Sequence, residues 1–535
     1  MTEINHRRRR LLRGLGGGAA LTALAPTLWL TGCDENAAVS PGSGNDAAQG
    51  PFEVDLRLRA HADNVPILPG QTSEVWRYSA ERLAGPADTL ATLGESYPGP
   101  LIRLHRGQRV RVRLENDLPE DTTVHWHGLH VPSDVDGQPR LPIGPGTSME
   151  VAFDVLDRAG LYWYHPHPHG PDGGRVGFQS VAGLAGPLII RDEIERSLGL
   201  PDGEQELVLM LQDRRFTADN ELRYIDGNMG AMMTRMMGFR GDRMLVNGRP
   251  DVRRVVATQP YRLRALNGSN ARIYKLAWSD GRPVTVIGTD GGLLAAPEQR
   301  PFVTLAPAQR IDLWVDFSVD EPGGMVQLVS EAHEGGMMDE GMMGGGMMGG
   351  GMMGNGMMGG GMMSRMMGSE SFPLVTFDID RRGKGSEPLP ERLADDLPTP
   401  RVSADTSVRR FVLGMRMMQG FTLNGRQMAG ASVADDEIVR LGRTEIWEFV
   451  NESMMPHPMH VHGLQFSVIE RIGGSSGSLR DGVVDAGLHD TVLVFPGERV
   501  RIALRFEDFA GLYMYHCHNM EHEDNGMMRY YKVEA

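Results

Sequence analysis

The 535-residue sequence predicts an all-β protein built from three similar domains, and three observations carry that prediction. Short strand-like runs recur from about residue 52, separated by Gly, Pro, Asn and Asp, at residues 101–114, 149–155, 261–266, 310–317 and 499–506. Regular strand spacing with turn signals marks β-sandwiches and barrels. No sustained helical period runs through these segments. The chain also repeats itself: residues 122–129 (TTVHWHGL) answer to 455–464 (MPHPMHVHGL), and 159–167 (AGLYWYHPH) to 510–518 (AGLYMYHCH). A third copy, at 266–277 and 307–317, resembles 449–453 and 496–506 but has no histidine pair. Repeats of this kind indicate duplicated structural units, with the chemistry kept in the first and last.

Taken in order, residues 1–32 read as an export signal: a basic start, then a modest apolar stretch interrupted by Gly14, Gly16, Gly17, Gly18 and Pro26. Arg8, Arg9 and Arg10 followed by Leu11, Leu12 and Arg13 resemble a twin-arginine signal. Leu30-Thr31-Gly32-Cys33 resembles a lipobox, which makes Cys33 the expected lipid anchor. The glycines, the proline and the short apolar length weigh against a retained membrane helix. The expected location is therefore outside the cytoplasm, periplasmic or lipid-anchored to the cell envelope. Residues 33–50, rich in Gly, Ser, Asn, Asp and Ala, read as a flexible tether. Domains are expected at 51–200, 201–385 and 400–535.

An apolar content of 41% suffices for packed cores, and a net charge of −15 argues against nucleic acid, whose binders carry basic patches. The only cysteines, Cys33 and Cys517, have separate explanations, so no disulfide is expected.

The sharpest signal lies at residues 516–528, HCHNMEHEDNGMM. Cys517, His522 and Met527, with His457 from HPMHVH, form a soft trigonal set with a weak axial sulfur, which suits a blue-copper electron-transfer centre. A structural zinc site wants four closed ligands, often paired cysteines, and this chain has too few. Eight histidines fall in four H-x-H pairs: His125/His127, His165/His167, His460/His462 and His516/His518. In a strand, residues i and i+2 share a face, so each pair presents two imidazoles in one direction. A single pair is weak evidence. Four pairs within duplicated segments are hard to explain as surface residues, and if the first and third domains pack face to face their eight nitrogens suit three coppers, with positions open for dioxygen or water.

These motifs resemble those of the multicopper oxidases, three-domain proteins of cupredoxin-like Greek-key β-barrels. HWHG, HPH, HPxHxHG and HCHx3Hx4M are all complete, and the resemblance covers the chain after about residue 50. It implies four copper ions. His125 and His460 match the type 2 ligands; His127, His165, His167, His462, His516 and His518 match those of the type 3 pair; His457, Cys517, His522 and Met527 match the type 1 set. It also implies a mechanism: a reductant gives single electrons to the type 1 centre, and they pass through Cys517 to His516 and His518 and on to dioxygen, which becomes water. Asp136 and Glu523 match acidic positions that deliver protons there. His130 and His169 match no ligand position.

Within the family, HCHxxEHEDxGMM and the twin-arginine signal look most like bacterial copper-efflux oxidases and metallo-oxidases. Residues 335–368 carry Met-Met pairs starting at 337, 342, 347, 352, 357 and 362, with a last one at 366, separated mostly by glycine. Thioether clusters without a fold of their own suit soft Cu(I). Further groups stand at 229–237 and 415–418. In the enterobacterial copper-efflux oxidases the Met-rich insert lies in the third domain, whereas here it lies in the second; Ser453 stands where that group has an aspartate, and Met455 keeps a methionine. The leading expectation is a monomeric oxidase of Cu(I). The alternatives are a laccase-like oxidase of phenols or other small organic reductants, an Fe(II) or Mn(II) oxidase, and a copper-binding or scaffold protein. The last is disfavoured because every ligand position is filled.

Overall fold

The computed structural model describes residues 51–535 except 95, 171–172, 226–227, 334–369, 384–387, 396, 417–419 and 475–476. The expected leader, tether and Cys33 anchor, the methionine stretch 335–368 and Met417 and Met418 lie outside the described residues.

Apart from a two-stranded sheet of His169–Gly170 and Gly173–Gly174, the described chain forms three pairs of sheets. In the first pair, strand Val54–Val65 turns Val54, Leu56, Leu58 and Ala60 inward and Arg57 and Arg59 outward, the two-residue alternation of a half-buried strand. It runs parallel to Arg109–Asn116. Glu206–Phe216 pairs in the same sense with Pro260–Asn267, and Val408–Arg416 with Thr444–Asn451. The internal repeat is thus a repeat of sheet topology.

Each sheet pair closes on its own apolar core, one around Leu58, Tyr78 and Trp126, a second around Leu263, Trp278 and Phe377, a third around Phe411, Trp447 and Tyr515. Each fully buried Leu, Val or Phe contributes roughly 1.5–3 kcal/mol, so each core can sustain a domain.

Residues 101–114 form two strands rather than the single run expected from sequence: Leu101–His105 and Arg109–Asn116, in different sheets. Gly107, at φ +90°, takes the left-handed turn between them, which a run of apolar alternation does not reveal. Short helices also interrupt the strands, among them Asn228–Met237 and Met520–Asp524. No helix among the described residues is long and apolar enough to cross a membrane.

Two strand pairings position the chemistry. In the first domain His125–His127 lies against Gly160–His165, with His125 opposite His165. In the third His457–Val461 lies against Gly511–Cys517, with His460 opposite His516.

Candidate metal centre

The chemistry-bearing residues collect in two groups. In the smaller, His457 Nδ1 lies 3.3 Å from Cys517 Sγ, His522 Nδ1 lies 3.5 Å from the same sulfur, and the two nitrogens are 3.3 Å apart. The point equidistant from three such atoms lies about 2 Å from each, a metal–nitrogen bond length. The opposite ring nitrogens are tethered. Ser453 Oγ lies 2.7 Å from His457 Nε2, and the Met236 carbonyl accepts from His522 Nε2 at 3.0 Å. Both imidazoles therefore turn Nδ1 to the sulfur.

Helix Met520–Asp524 sets His522. Asn519 caps it, its side-chain oxygen accepting from the His522 backbone N–H. Met527 is fully buried in the same apolar cluster as Cys517, and its carbonyl accepts from the Cys517 N–H at 3.1 Å. The Phe421 ring covers both histidines, at 5.0 Å and 4.1 Å between centroids. Burial pushes the Cys517 thiol pKa up and drives the His522 imidazole down to about 4. A buried thiol of this kind ionises when a bound cation displaces its proton.

The larger group is the eight histidines, all buried between the first and third domains. His167, His462 and His516 bring their Nε2 atoms together, at 3.3 Å from His167 to His516 and 3.1 Å from His462 to His516. His127 Nδ1 lies 3.3 Å from His165 Nε2. His125 Nε2, His460 Nε2 and both His518 nitrogens are buried with no hydrogen-bond partner. Leaving one such group unsatisfied costs about 1–3 kcal/mol, an expense that a bound cation removes. Burial, reinforced by neighbouring imidazoles, lowers the pKa values of His127, His165, His167, His462 and His518 well below the usual range, and His460 to about 4. The rings are neutral near pH 7, the form that binds a metal.

Oxygen atoms orient these rings from behind. His125 Nδ1 donates to the Asp136 carbonyl and His460 Nδ1 to the Asp490 carbonyl, both at 2.8 Å, which leaves each Nε2 free. His462 Nδ1 donates to Asp136 Oδ2 at 2.9 Å, and His127 Nε2 to Asp490 Oδ1 at 3.0 Å. Glu523 sits 3.1 Å from His516 Nδ1 and 3.4 Å from His167 Nδ1, within ion-pair distance but without hydrogen-bond alignment. Carboxylates behind histidines are the usual support of a metal site. Asp490 also comes close enough to His127 and His460 to act as a donor, but both its oxygens are occupied by Arg310.

The structure thus brings together His125, His127, His165, His167, His460, His462, His516 and His518, places Asp136 and Glu523 behind them, and gathers His457, Cys517 and His522 beside Met527. His130 is held elsewhere, its Nδ1 2.6 Å from Asp157. Sequence reasoning missed Asp490, Arg310 and the Met236 carbonyl. Asp490 belongs to no histidine motif, and Arg310 stands in the repeat that lacks histidines.

Two multicopper oxidase family profiles match the chain, over residues 74–195 and 403–535. The chain is 30% identical over 440 residues to the multicopper oxidase mco of Staphylococcus haemolyticus, covering 81% of this chain and 82% of that protein. The chain belongs to the multicopper oxidase family. It is also 32% identical over 516 residues to a laccase of Haloferax volcanii, covering 84% and 78% of the two chains. The solved structure of the McoA multicopper oxidase from Aquifex aeolicus superposes with a TM-score of 0.73 at 32% identity, covering 91% of this chain and 97% of that one. The protein is accordingly an oxidoreductase with dioxygen as acceptor. Membership implies copper, and the donors fit it: a cysteine sulfur with two imidazole Nδ1 atoms, and eight buried imidazoles, among which His125 Nε2, His460 Nε2 and both His518 nitrogens have no hydrogen-bond partner.

Proposed function

We propose that this multicopper oxidase oxidises Cu(I) to Cu(II) in copper tolerance, with four resident coppers. The overall change is 4 Cu(I) + O2 + 4 H+ → 4 Cu(II) + 2 H2O. Resident copper supplies one-electron redox chemistry. His457, Cys517, His522 and Met527 would hold one ion, and the eight histidines the other three, with His125 and His460 sharing one of them.

The protein's own part is to connect, orient and protonate. Cys517 is flanked by His516 and His518, so the sulfur of one site and the imidazoles of the other belong to three consecutive residues. Asp136 and Glu523, fully buried against His462 and His516, are placed to hold and pass protons where dioxygen is reduced. Gln138 Nε2 donates to Asp136 Oδ2 at 3.1 Å and fixes that carboxylate.

Of the four exposed methionines among the described residues, Met325 stands on a strand of the second domain, and the other three carry the choice of Cu(I). Met232 is 63% exposed, Met415 45% and Met454 51%. Met232 lies on helix Asn228–Met237, whose Met236 carbonyl holds His522. Met415 is the cross-strand partner of Phe421, the ring over His457 and His522. Met454 follows Ser453, the partner of His457. Three solvent-facing thioethers, two on segments that contact these histidines and one on the strand paired with that of Phe421, are soft ligands suited to Cu(I) rather than to a phenol, Fe(II) or Mn(II). The methionine-rich stretch 335–368 adds more such ligands to the same chain. An export leader at 1–32 and a lipid anchor at Cys33 complete the reading, because they place a monomeric oxidase where incoming copper is met.

The test replaces Met232, Met415 and Met454 together by leucine. KM for Cu(I) is expected to rise about tenfold while phenol turnover stays within about twofold, as loss of outer donors of a metal typically does. An unchanged KM for Cu(I) would remove these thioethers from the function.

A further inference from the structure

The second domain supplies no histidine, yet one of its side chains reaches the site between the other two. Arg310 opens strand Arg310–Asp316 and its side chain is fully buried. Nη1 donates to Asp490 Oδ1 at 2.8 Å and Nη2 to Asp490 Oδ2, a bidentate fork. Nη1 also donates to the Ala308 carbonyl at 3.1 Å, Nη2 to the Asp290 carbonyl at 3.0 Å, and Nε to the Leu161 carbonyl of the first domain at 2.9 Å. All five N–H groups of the guanidinium are thus used, which no lysine can reproduce.

Asp290 braces the arrangement from the other side. Its Oδ1 accepts from the Arg310 backbone N–H at 2.7 Å, and its Oδ2 from the Asp490 and Thr491 N–H groups at 3.3 Å each. Asp490 then points two ways. Its carboxylate holds His127 of the first domain, and its carbonyl holds His460 of the third. Those two rings stack at 3.8 Å between centroids, 14° apart.

The glycine of HWHG leaves room for this fork. A Cβ on Gly128, at φ +89°, would lie 2.6 Å from Asp490 Oδ2 and 2.8 Å from Arg310 Nη2.

We propose that Arg310 is a positioning residue for the eight-histidine site: by clamping Asp490 it fixes which nitrogen His127 and His460 offer and where. The domain that contributes no histidine to the site thereby sets the geometry at which the other two meet. The proposal rests on copper binding at that site and not on the choice of Cu(I) as substrate.

The experiment loads the full chain with Cu(II), comparing wild type with Arg310→Lys, Arg310→Met and Asp290→Asn. It reads the affinity and electron paramagnetic resonance of copper at the eight histidines, the visible absorption of the Cys517 copper, and thermal unfolding. Arg310→Lys keeps the charge and loses the fork. It is expected to keep the Cys517 absorption while copper at the eight histidines binds at least about tenfold more weakly, with an altered resonance. Asp290→Asn should show the same change in smaller degree. Wild-type affinity and resonance in Arg310→Lys would overturn the proposal. So would a loss of the Cys517 absorption in step with that of the other coppers and with the unfolding temperature, which marks a merely structural salt bridge. Should Arg310→Met not fold, the lysine and asparagine variants decide the matter. Wild-type protein that took up no copper at the eight histidines would sink the metal-centre reading and the proposal together.

Discussion

Ser453 Oγ and His457 Nε2 lie 2.7 Å apart, and the hydroxyl also has Asn451 Oδ1 at 2.8 Å as an acceptor for its own proton. The hydroxyl therefore accepts from His457, which keeps the ring in the tautomer that offers Nδ1 to Cys517. Ser453→Ala leaves a buried N–H without a partner and is expected to cost about 1–3 kcal/mol of stability, read by denaturant unfolding. Ser453→Asp replaces a neutral acceptor by a carboxylate, makes the imidazole a stronger donor, and should lower the reduction potential of the Cys517 copper in a redox titration.

Replacement of Asp136 by Asn, or of Glu523 by Gln, removes an ionisable oxygen and keeps the shape. Turnover should fall by about 10²- to 10⁴-fold, the usual contribution of a positioned proton donor, with the Cys517 absorption unchanged. Steady-state oxygen uptake at saturating reductant checks this, and full activity in both variants would remove the two carboxylates from proton delivery.

Copper removal exposes the tension of the site. Without metal, His125 Nε2, His460 Nε2 and both nitrogens of His518 are buried and unsatisfied. The loaded protein should therefore unfold at a higher temperature than the copper-free protein. At a free copper concentration a thousandfold above its dissociation constant, mass action adds about 4 kcal/mol per site. Scanning calorimetry of both forms measures the difference.

Acid should loosen the contact between the first and second domains. Burial raises the pKa of Glu206, but Arg264 and Arg191 outweigh it and hold the carboxyl down to about 2; Glu195, against Arg264, Arg262 and Arg191, is held lower still. A carboxyl lowered on folding stabilises the fold above its unfolded pKa, near 4.5, and loses that contribution as pH falls toward its folded value. Glu206 alone accounts for on the order of 3 kcal/mol. Unfolding free energy measured from pH 6 to pH 2.5 should therefore decline below about 4.5, and Glu206→Gln should flatten the decline.

Much of the site was legible because its chemistry is local in sequence. Only His125/His127 lies wholly within a strand; in the other three pairs the strand ends at or just after the first histidine, so the strand alternation expected from sequence holds for one pair, while the duplicated segments announced that the two ends of the chain would meet. Arg310 and Asp490 were not legible. Their roles come from packing three domains together, and an arginine in a repeat without histidines carries no local sign of its partner. The Met236 carbonyl is a backbone atom, invisible to any reading of residue types. The turn at Gly107 was missed because one glycine inside an alternating run can equally belong to a strand.

The central claim is tested most directly by oxygen uptake of the copper-loaded protein with Cu(I) and, separately, with a phenolic donor, in wild type and in a variant lacking residues 337–367. The account predicts Cu(I) turnover well above phenol turnover, falling on deletion. Faster phenol oxidation, raised by the deletion while Cu(I) turnover stays unchanged, would contradict it and make the methionine stretch a cover over a laccase-like site.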